Sequence, residues 1–123
     1  MDKNKILIID DEPDFAQIFK KRLEAEGYEV ITASDGNEGL KKIRLEDPDV
    51  ILLDILMPGK DGYTMLKEMK EDAFIRKVPV IVVTAKPYMQ DLFGMEGIQD
   101  YLVKPVEDAD LLLRIKLALK RGV

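Results

Sequence analysis

Asp54 ends the run Val50-Ile51-Leu52-Leu53-Asp54, and the turn that follows reads Met57-Pro58-Gly59-Lys60-Asp61-Gly62. A carboxylate therefore stands where an apolar strand gives way to a turn, at the rim of whatever sheet that strand joins. Asp10 and Asp11, with Glu12 after them, follow the apolar run Ile6-Leu7-Ile8-Ile9 in the same manner. Thr84 closes Val80-Ile81-Val82-Val83, and Lys104 closes Tyr101-Leu102-Val103. Carboxylates brought together at one rim repel, and one of them holds its proton abnormally tightly unless a cation compensates. Oxygen donors in a site open to water suit Mg²⁺ or Mn²⁺. A carboxylate beside such an ion can attack a phosphoryl group and form an acyl phosphate. Lys104 and Thr84 could then hold the phosphoryl oxygens.

The composition leaves little room for other chemistry. Histidine, cysteine and tryptophan are absent and serine occurs once, at Ser34. No Ser-His-Asp triad, Cys-His pair or histidine-ligated zinc can be built. The 123 residues fit one domain with a real core, and 46% apolar with 35% charged residues is an ordinary globular balance. A net charge of -5 and a pI near 4.8 argue against nonspecific binding to nucleic acid or an anionic membrane. The apolar runs are too short to span a bilayer. The N-terminus has no signal-peptide pattern, and the lack of cysteine is compatible with a reducing cytoplasm.

The elements that must position these residues alternate along the chain. Strands are expected at 6–9, 30–33, 50–53, 80–83 and 101–103. Helices are expected at Pro13 to about Glu26, Asn37 to about Glu46, Asp61 to about Asp72, Tyr88 to Met95, and Glu107 to about Arg121. In the first helix Phe15, Ile18, Phe19 and Leu23 share a face; in the third, Tyr63, Leu66 and Met69 face inward. Gly27 suits a helix C-cap, and Asp47-Pro48 stops the second helix. Gly94 and Gly97 make the fourth helix the weakest of the five. Strand-helix alternation with short links predicts an α/β fold, a doubly wound five-stranded parallel sheet with five helices on both faces. The leading strand order is the flavodoxin-like 2-1-3-4-5, which makes strands one and three neighbours at the switch point where ligands bind. No linker interrupts residues 1–123, which read as a single domain.

Read together, these residues resemble the response-regulator receiver domain of two-component signalling, over essentially the whole chain. The matching stretches are Ile6 to Glu12, Asp35-Gly36-Asn37-Glu38-Gly39-Leu40, Pro48 to Gly62, Val82-Val83-Thr84-Ala85, and Asp100-Tyr101-Leu102-Val103-Lys104-Pro105. The resemblance implies that Asp54 accepts a phosphoryl group from the phosphohistidine of a sensor histidine kinase or phosphotransfer protein. It implies Mg²⁺ held by Asp10, Asp11, Asp54 and the backbone carbonyl of Leu56, with Thr84 and Lys104 on the phosphoryl oxygens. It also implies a switch in which Tyr101 turns inward as Thr84 moves, and a cis Lys104-Pro105 bond. Helix four, strand five and helix five would form the surface that controls a downstream partner or output domain, with homodimerisation through the same surface.

Simpler readings stand beside these. The acids 10–12 also suit the start of a helix, Asp54 alone suits a turn, and Tyr101 alone suits a strand. Met65 and Met69 read as core filler. On the fifth helix Leu111, Leu112, Ile115, Ala118 and Leu119 form one stripe, and Leu113 with Leu117 lies opposite, either as scattered surface leucines or as a partner surface. A Mg²⁺-dependent phosphatase with an aspartate nucleophile would want a carboxylate two residues after Asp54, where Leu56 stands. A flavin carrier would want a Ser/Thr/Gly-rich loop where Asp10-Asp11-Glu12 stands. A phosphorylation-silent scaffold would not need all five site residues. The stretch between Thr84 and Lys104 is a residue or two shorter than is usual in the family. Leu56 cannot orient water, so a slowly hydrolysed Asp54 phosphate is expected.

Overall fold

The computed structural model describes residues 3–57, 59–85 and 98–121. Five strands form one parallel sheet in the order β2-β1-β3-β4-β5, the expected 2-1-3-4-5. They are β1 (Lys5–Ile9), β2 (Glu29–Ala33), β3 (Val50–Leu53), β4 (Val80–Thr84) and β5 (Ile98–Val103). Four helices accompany them among the described residues: α1 (Pro13–Ala25), α2 (Gly36–Glu46), α3 (Gly62–Glu71) and α4 (Asp108–Arg121). The helix expected at 88–95 falls outside the described residues, so α4 corresponds to the fifth helix of the sequence reading.

The strands are apolar without alternation because both faces of the sheet are covered. Leu7, Ile9, Ile51 and Leu53 point into one core with Leu40, Ile43, Met65, Leu66 and Met69 of α2 and α3. The intervening Ile6, Ile8, Val50 and Leu52 point into a second core with Phe19, Leu23, Leu111 and Ile115 of α1 and α4. Each such side chain contributes about 1.5–3 kcal/mol by leaving water. A single-residue slip of any inner strand would exchange the two faces, which fixes the register. That register pairs Ile9 with Leu53 and Leu53 with Val82, so the carboxyl ends of β1 and β3 finish level and β4 runs two residues further, to Thr84.

Helix ends follow local chemistry. Pro13 begins α1, where its missing N–H is no loss. Gly27, at φ 96°, ends it in the left-handed conformation. Asp35 and Asp61 cap α2 and α3 by accepting hydrogen bonds from the amides of Glu38 and Thr64. Asp47 closes α2 at φ 50°.

Two inward assignments are corrected. Ile18 of α1 is 46% exposed, and Ala16 fills the inner face with Phe19 and Leu23. Tyr63 of α3 is exposed as well, and Met65 takes the buried position. In both helices the stripe turns a little from the one drawn on aromatic and β-branched residues, because small or flexible side chains fit closest to the sheet. β5 is longer than expected, and its register against β4 shifts between the pairs Val80–Ile98 and Ile81–Asp100.

Candidate functional site

The sheet ladder places the acids. The Asp10 amide donates to the carbonyl of Ala33, and the Asp54 amide donates to the carbonyl of Ile9. Both residues therefore continue the hydrogen-bonding of adjacent strands one step past their ends, at the crevice where the strand order switches. Each carboxylate is then fixed in the same way. Asp10 Oδ1 accepts the amide of Glu12 at 2.9 Å, and Asp54 Oδ1 accepts the amide of Leu56 at 3.0 Å. These are Asx turns two residues long, and they leave both Oδ2 atoms aimed at the crevice.

Lys104 fills the space between them. Its backbone amide bonds the carbonyl of Thr84 at 2.8 Å, extending the β4–β5 ladder to the same rim. Its Nζ lies 2.8 Å from Asp10 Oδ2, 2.8 Å from Glu12 Oε1 and 3.3 Å from Asp54 Oδ2. The three ammonium donors thus face three carboxylates. Asp10 and Asp54 are buried, while Glu12 is exposed. The Lys104-Pro105 bond is cis, as the resemblance implied.

Burial raises the Asp10 pKa above the ordinary carboxylate value; the hydrogen bonds from Lys104 and the Glu12 amide pull it back, and the Asp54 charge pushes it up again. Burial alone would lower the Lys104 pKa, but its hydrogen bonds to Asp10 and Glu12 and the charges of Asp10 and Asp54 more than offset this and raise it. In a simple ion pair the acid would shift down as the base shifts up. Here Asp10 shifts upward as well, chiefly because it is buried, with the Asp54 charge adding to the effect. Three carboxylates share one ammonium, so the cluster is short of positive charge.

The sequence placed Asp10, Asp54, Thr84 and Lys104 at one rim, and the structure brings the first, second and last into contact. Thr84 ends β4 completely buried, and its Oγ1 has no hydrogen-bond partner among the described residues. Tyr101 is buried in the α2–α3 core cluster, an inward position. The group of acids with oxygens within 4.8 Å of one another is Asp10, Glu12 and Asp54. Asp11 stands beside that group, lining an open depression of about 270 Å³ with Asp10, Ser34, Glu38 and Lys42. Glu12 is the residue that sequence reasoning passed over. The signal was its place two residues after Asp10, where its amide closes the turn and its side chain can fold back over the crevice. Leu56 presents its side chain outward, 41% exposed.

The family model of the response regulator receiver domain matches residues 6–116. The chain belongs to the response regulator receiver domain family. This receiver domain is a phosphorylation-activated switch module of two-component signalling. It is 44% identical over 121 residues to a probable transcriptional regulator, ycf27, of Guillardia theta, covering 97% of this chain and 46% of that protein. The chain spans about half the length of the curated relatives it matches. Among solved structures it is similar to a CheY-like receiver domain protein from Methanospirillum hungatei, with TM-score 0.89, 33% identity and coverage of 98% and 97% of the two chains. It is also similar to the response regulator TrrA of Thermotoga maritima, solved in complex with Mg(2+)-BeF, with TM-score 0.84, 31% identity and coverage of 94% and 98%.

Proposed function

We propose that Asp54 is the phosphoacceptor of this domain. The observation that carries the reading is the Lys104 ammonium held by Asp10 and Asp54, side chains that the sheet brings together from three separate strand ends. An Asp54 oxygen attacks phosphorus, the bond from phosphorus to the donor's histidine nitrogen breaks, and that nitrogen leaves with the bonding electrons. Lys104 moves from carboxylate to phosphoryl oxygens, and the Thr84 hydroxyl finds a phosphoryl oxygen as its partner. Tyr101, already inward, packs behind Thr84 in the switched state.

A divalent cation fits the donor set, which is made of hard oxygens and carries more negative charge than one ammonium offsets. Asp10, Asp11 and Asp54, with the backbone carbonyl of Leu56, would hold Mg²⁺ or Mn²⁺. When bound, the ion supplies charge neutralisation at the phosphoryl oxygens. The Mg(2+)-BeF complex of the TrrA relative supports this assignment.

The domain acts on itself and is not an enzyme with a turned-over substrate. Its donors are a sensor histidine kinase or a histidine phosphotransfer protein, and its site of action is the cytoplasm. Residues 1–123 form a single receiver domain, and the longer transcriptional-regulator relatives support an attached or separate output. The controlling surface comprises β5 and α4, and homodimers form through it; the expected fourth helix, which would complete that surface, lies outside the described residues. Among the described residues no helix is long and apolar enough to cross a membrane. The apolar Leu56 beside Asp54 cannot orient a hydrolytic water, so the phosphate is long-lived compared with that of a chemotaxis-type regulator. A lifetime of seconds, read by phosphate release, would overturn that point.

Incubation with Mg²⁺ and acetyl phosphate, followed by intact mass, tests the assignment. Wild type gains one phosphoryl group and Asp54→Asn gains none. Turnover of a generic phosphate ester would instead favour a phosphatase.

A further inference from the structure

We propose that Phe15 is a positioning residue for the Lys104 ammonium, a role that rests on the phosphoacceptor reading above. Lys104 Nζ lies 4.1 Å from the centroid of the Phe15 ring. The ammonium has three N–H donors, and Asp10, Glu12 and Asp54 take them. The ring therefore covers a side of the nitrogen from which no hydrogen bond leaves. An aromatic face attracts a cation through its quadrupole, presents no competing acceptor and keeps water off. An aliphatic side chain of similar size would do only the last two.

The ring is itself held in place. Its centroid is 4.5 Å from that of Phe19 at a 36° tilt, and Phe19 is buried against the sheet. The Arg22 guanidinium lies 5.4 Å from the Phe19 ring and pairs with Asp108 at the start of α4. The aromatic pair is thus braced by α1 and α4, the helix that follows Lys104 in the chain. When a phosphoryl group arrives, Lys104 must leave Glu12 and Asp10 for new oxygens. With Phe15 fixed behind it, the ammonium can swing across the crevice but cannot withdraw toward α1.

The test compares wild type with Phe15→Leu, which keeps apolar bulk, and Phe15→Tyr, which keeps the ring. The first readout is the NMR shift of the Lys104 Hε protons without metal or donor. The second is the rate at which Mg²⁺ and acetyl phosphate label Asp54. Phe15→Leu should lose the upfield ring-current displacement and slow labelling by about three- to tenfold, while Phe15→Tyr keeps both. Phe15→Met serves for the same comparison if the leucine variant does not fold. An unchanged Lys104 shift in the leucine variant, or equal labelling rates in all three proteins, would overturn the proposal. A wild type that never labels would defeat the phosphoacceptor reading instead, and the Hε shift would still judge the contact.

Discussion

The Lys104 ammonium lies 2.8 Å from Asp10 Oδ2, although 94 positions separate the two residues in the chain. β3 and β4 stand between β1 and β5, so the ends of those two strands are about 14 Å apart. The segment after β5 and the lysine stem close that gap, and the ammonium becomes the one positive group shared by three acids. Stability and reactivity of the crevice should both follow from that shortage of positive charge.

Lys104→Met removes the cation from two buried carboxylates. Breaking a buried ion pair from one side costs about 3–5 kcal/mol. Asp10 can relieve part of this by taking up a proton, so a loss of about 3 kcal/mol is expected in urea melts at pH 7 without divalent metal. Asp54→Asn should leave the midpoint unchanged or raise it, because it removes one surplus acid.

Divalent metal should raise stability by mass action, by up to about 2.7 kcal/mol at a hundredfold excess over its dissociation constant. Displacement of the Lys104 ammonium from the carboxylates reduces the gain. Thermal melts with Mg²⁺ and then with a chelator read this directly. Asp10→Asn should lose most of the metal-dependent shift; an equal shift in that variant would remove Asp10 from the ligand set.

The pH dependence has opposite signs at its two ends. Lys104 holds its proton more tightly folded than unfolded, so its contribution is full below the ordinary lysine value, about 10.4, and is lost as pH rises through the raised folded value. Asp72 is lowered by the Phe74 amide first and the Arg44 side chain second. Its contribution is present above the ordinary aspartate value, about 3.9, and is lost as pH falls through the lowered one. Urea midpoints across pH should show a flatter alkaline limb in Lys104→Met and a flatter acid limb in Asp72→Asn.

Gly62 is the first residue of α3 and packs on the strand that carries Asp54. A Cβ there would stand 2.5 Å from the Asp54 carbonyl oxygen and 2.7 Å from Ile55 Cα, both of them backbone. Gly62→Ala must therefore move the β3–α3 connection. It should cost about 2 kcal/mol in stability and slow acetyl phosphate labelling. Wild-type labelling in this variant would show that the connection can shift without moving Asp54.

Leu113 and Leu117 are 53% and 39% exposed on the outer side of α4, opposite the buried Leu111, Ile115 and Ala118. Replacing both with Glu should leave the melting temperature nearly unchanged and weaken self-association in sedimentation experiments on the phosphorylated domain. Unchanged association would return them to ordinary surface leucines.

Much of this was legible in the chain itself. Fully apolar strands bounded by Asp, Thr and Lys marked both the parallel sheet and its functional rim, because a strand covered on two faces can admit charge only at its end. The leucine pattern of α4 was equally clear, since its two faces differ in polarity. Ile18 was misplaced for a steric reason: hydrophobicity alone ranks it above Ala16, but closeness to the sheet favours the smaller side chain. Tyr63 was placed inward although Met65, already read as core filler, takes the buried position. Glu12 was hidden because an acid at the start of a helix has an ordinary explanation. Its partnership with Lys104 depends on a contact across 92 positions that no local pattern encodes. The expected helix at 88–95 lies outside the described residues.

Mapping the phosphorylated residue tests the central claim most directly. The protein is treated with Mg²⁺ and acetyl phosphate, reduced with borohydride to trap any acyl phosphate, and digested for peptide sequencing by mass spectrometry. The account predicts reduction at Asp54 alone, giving homoserine there, and none in Asp54→Asn. Modification at Asp10, Asp11 or Glu12, or an unmodified Asp54 in fully folded protein, would contradict it.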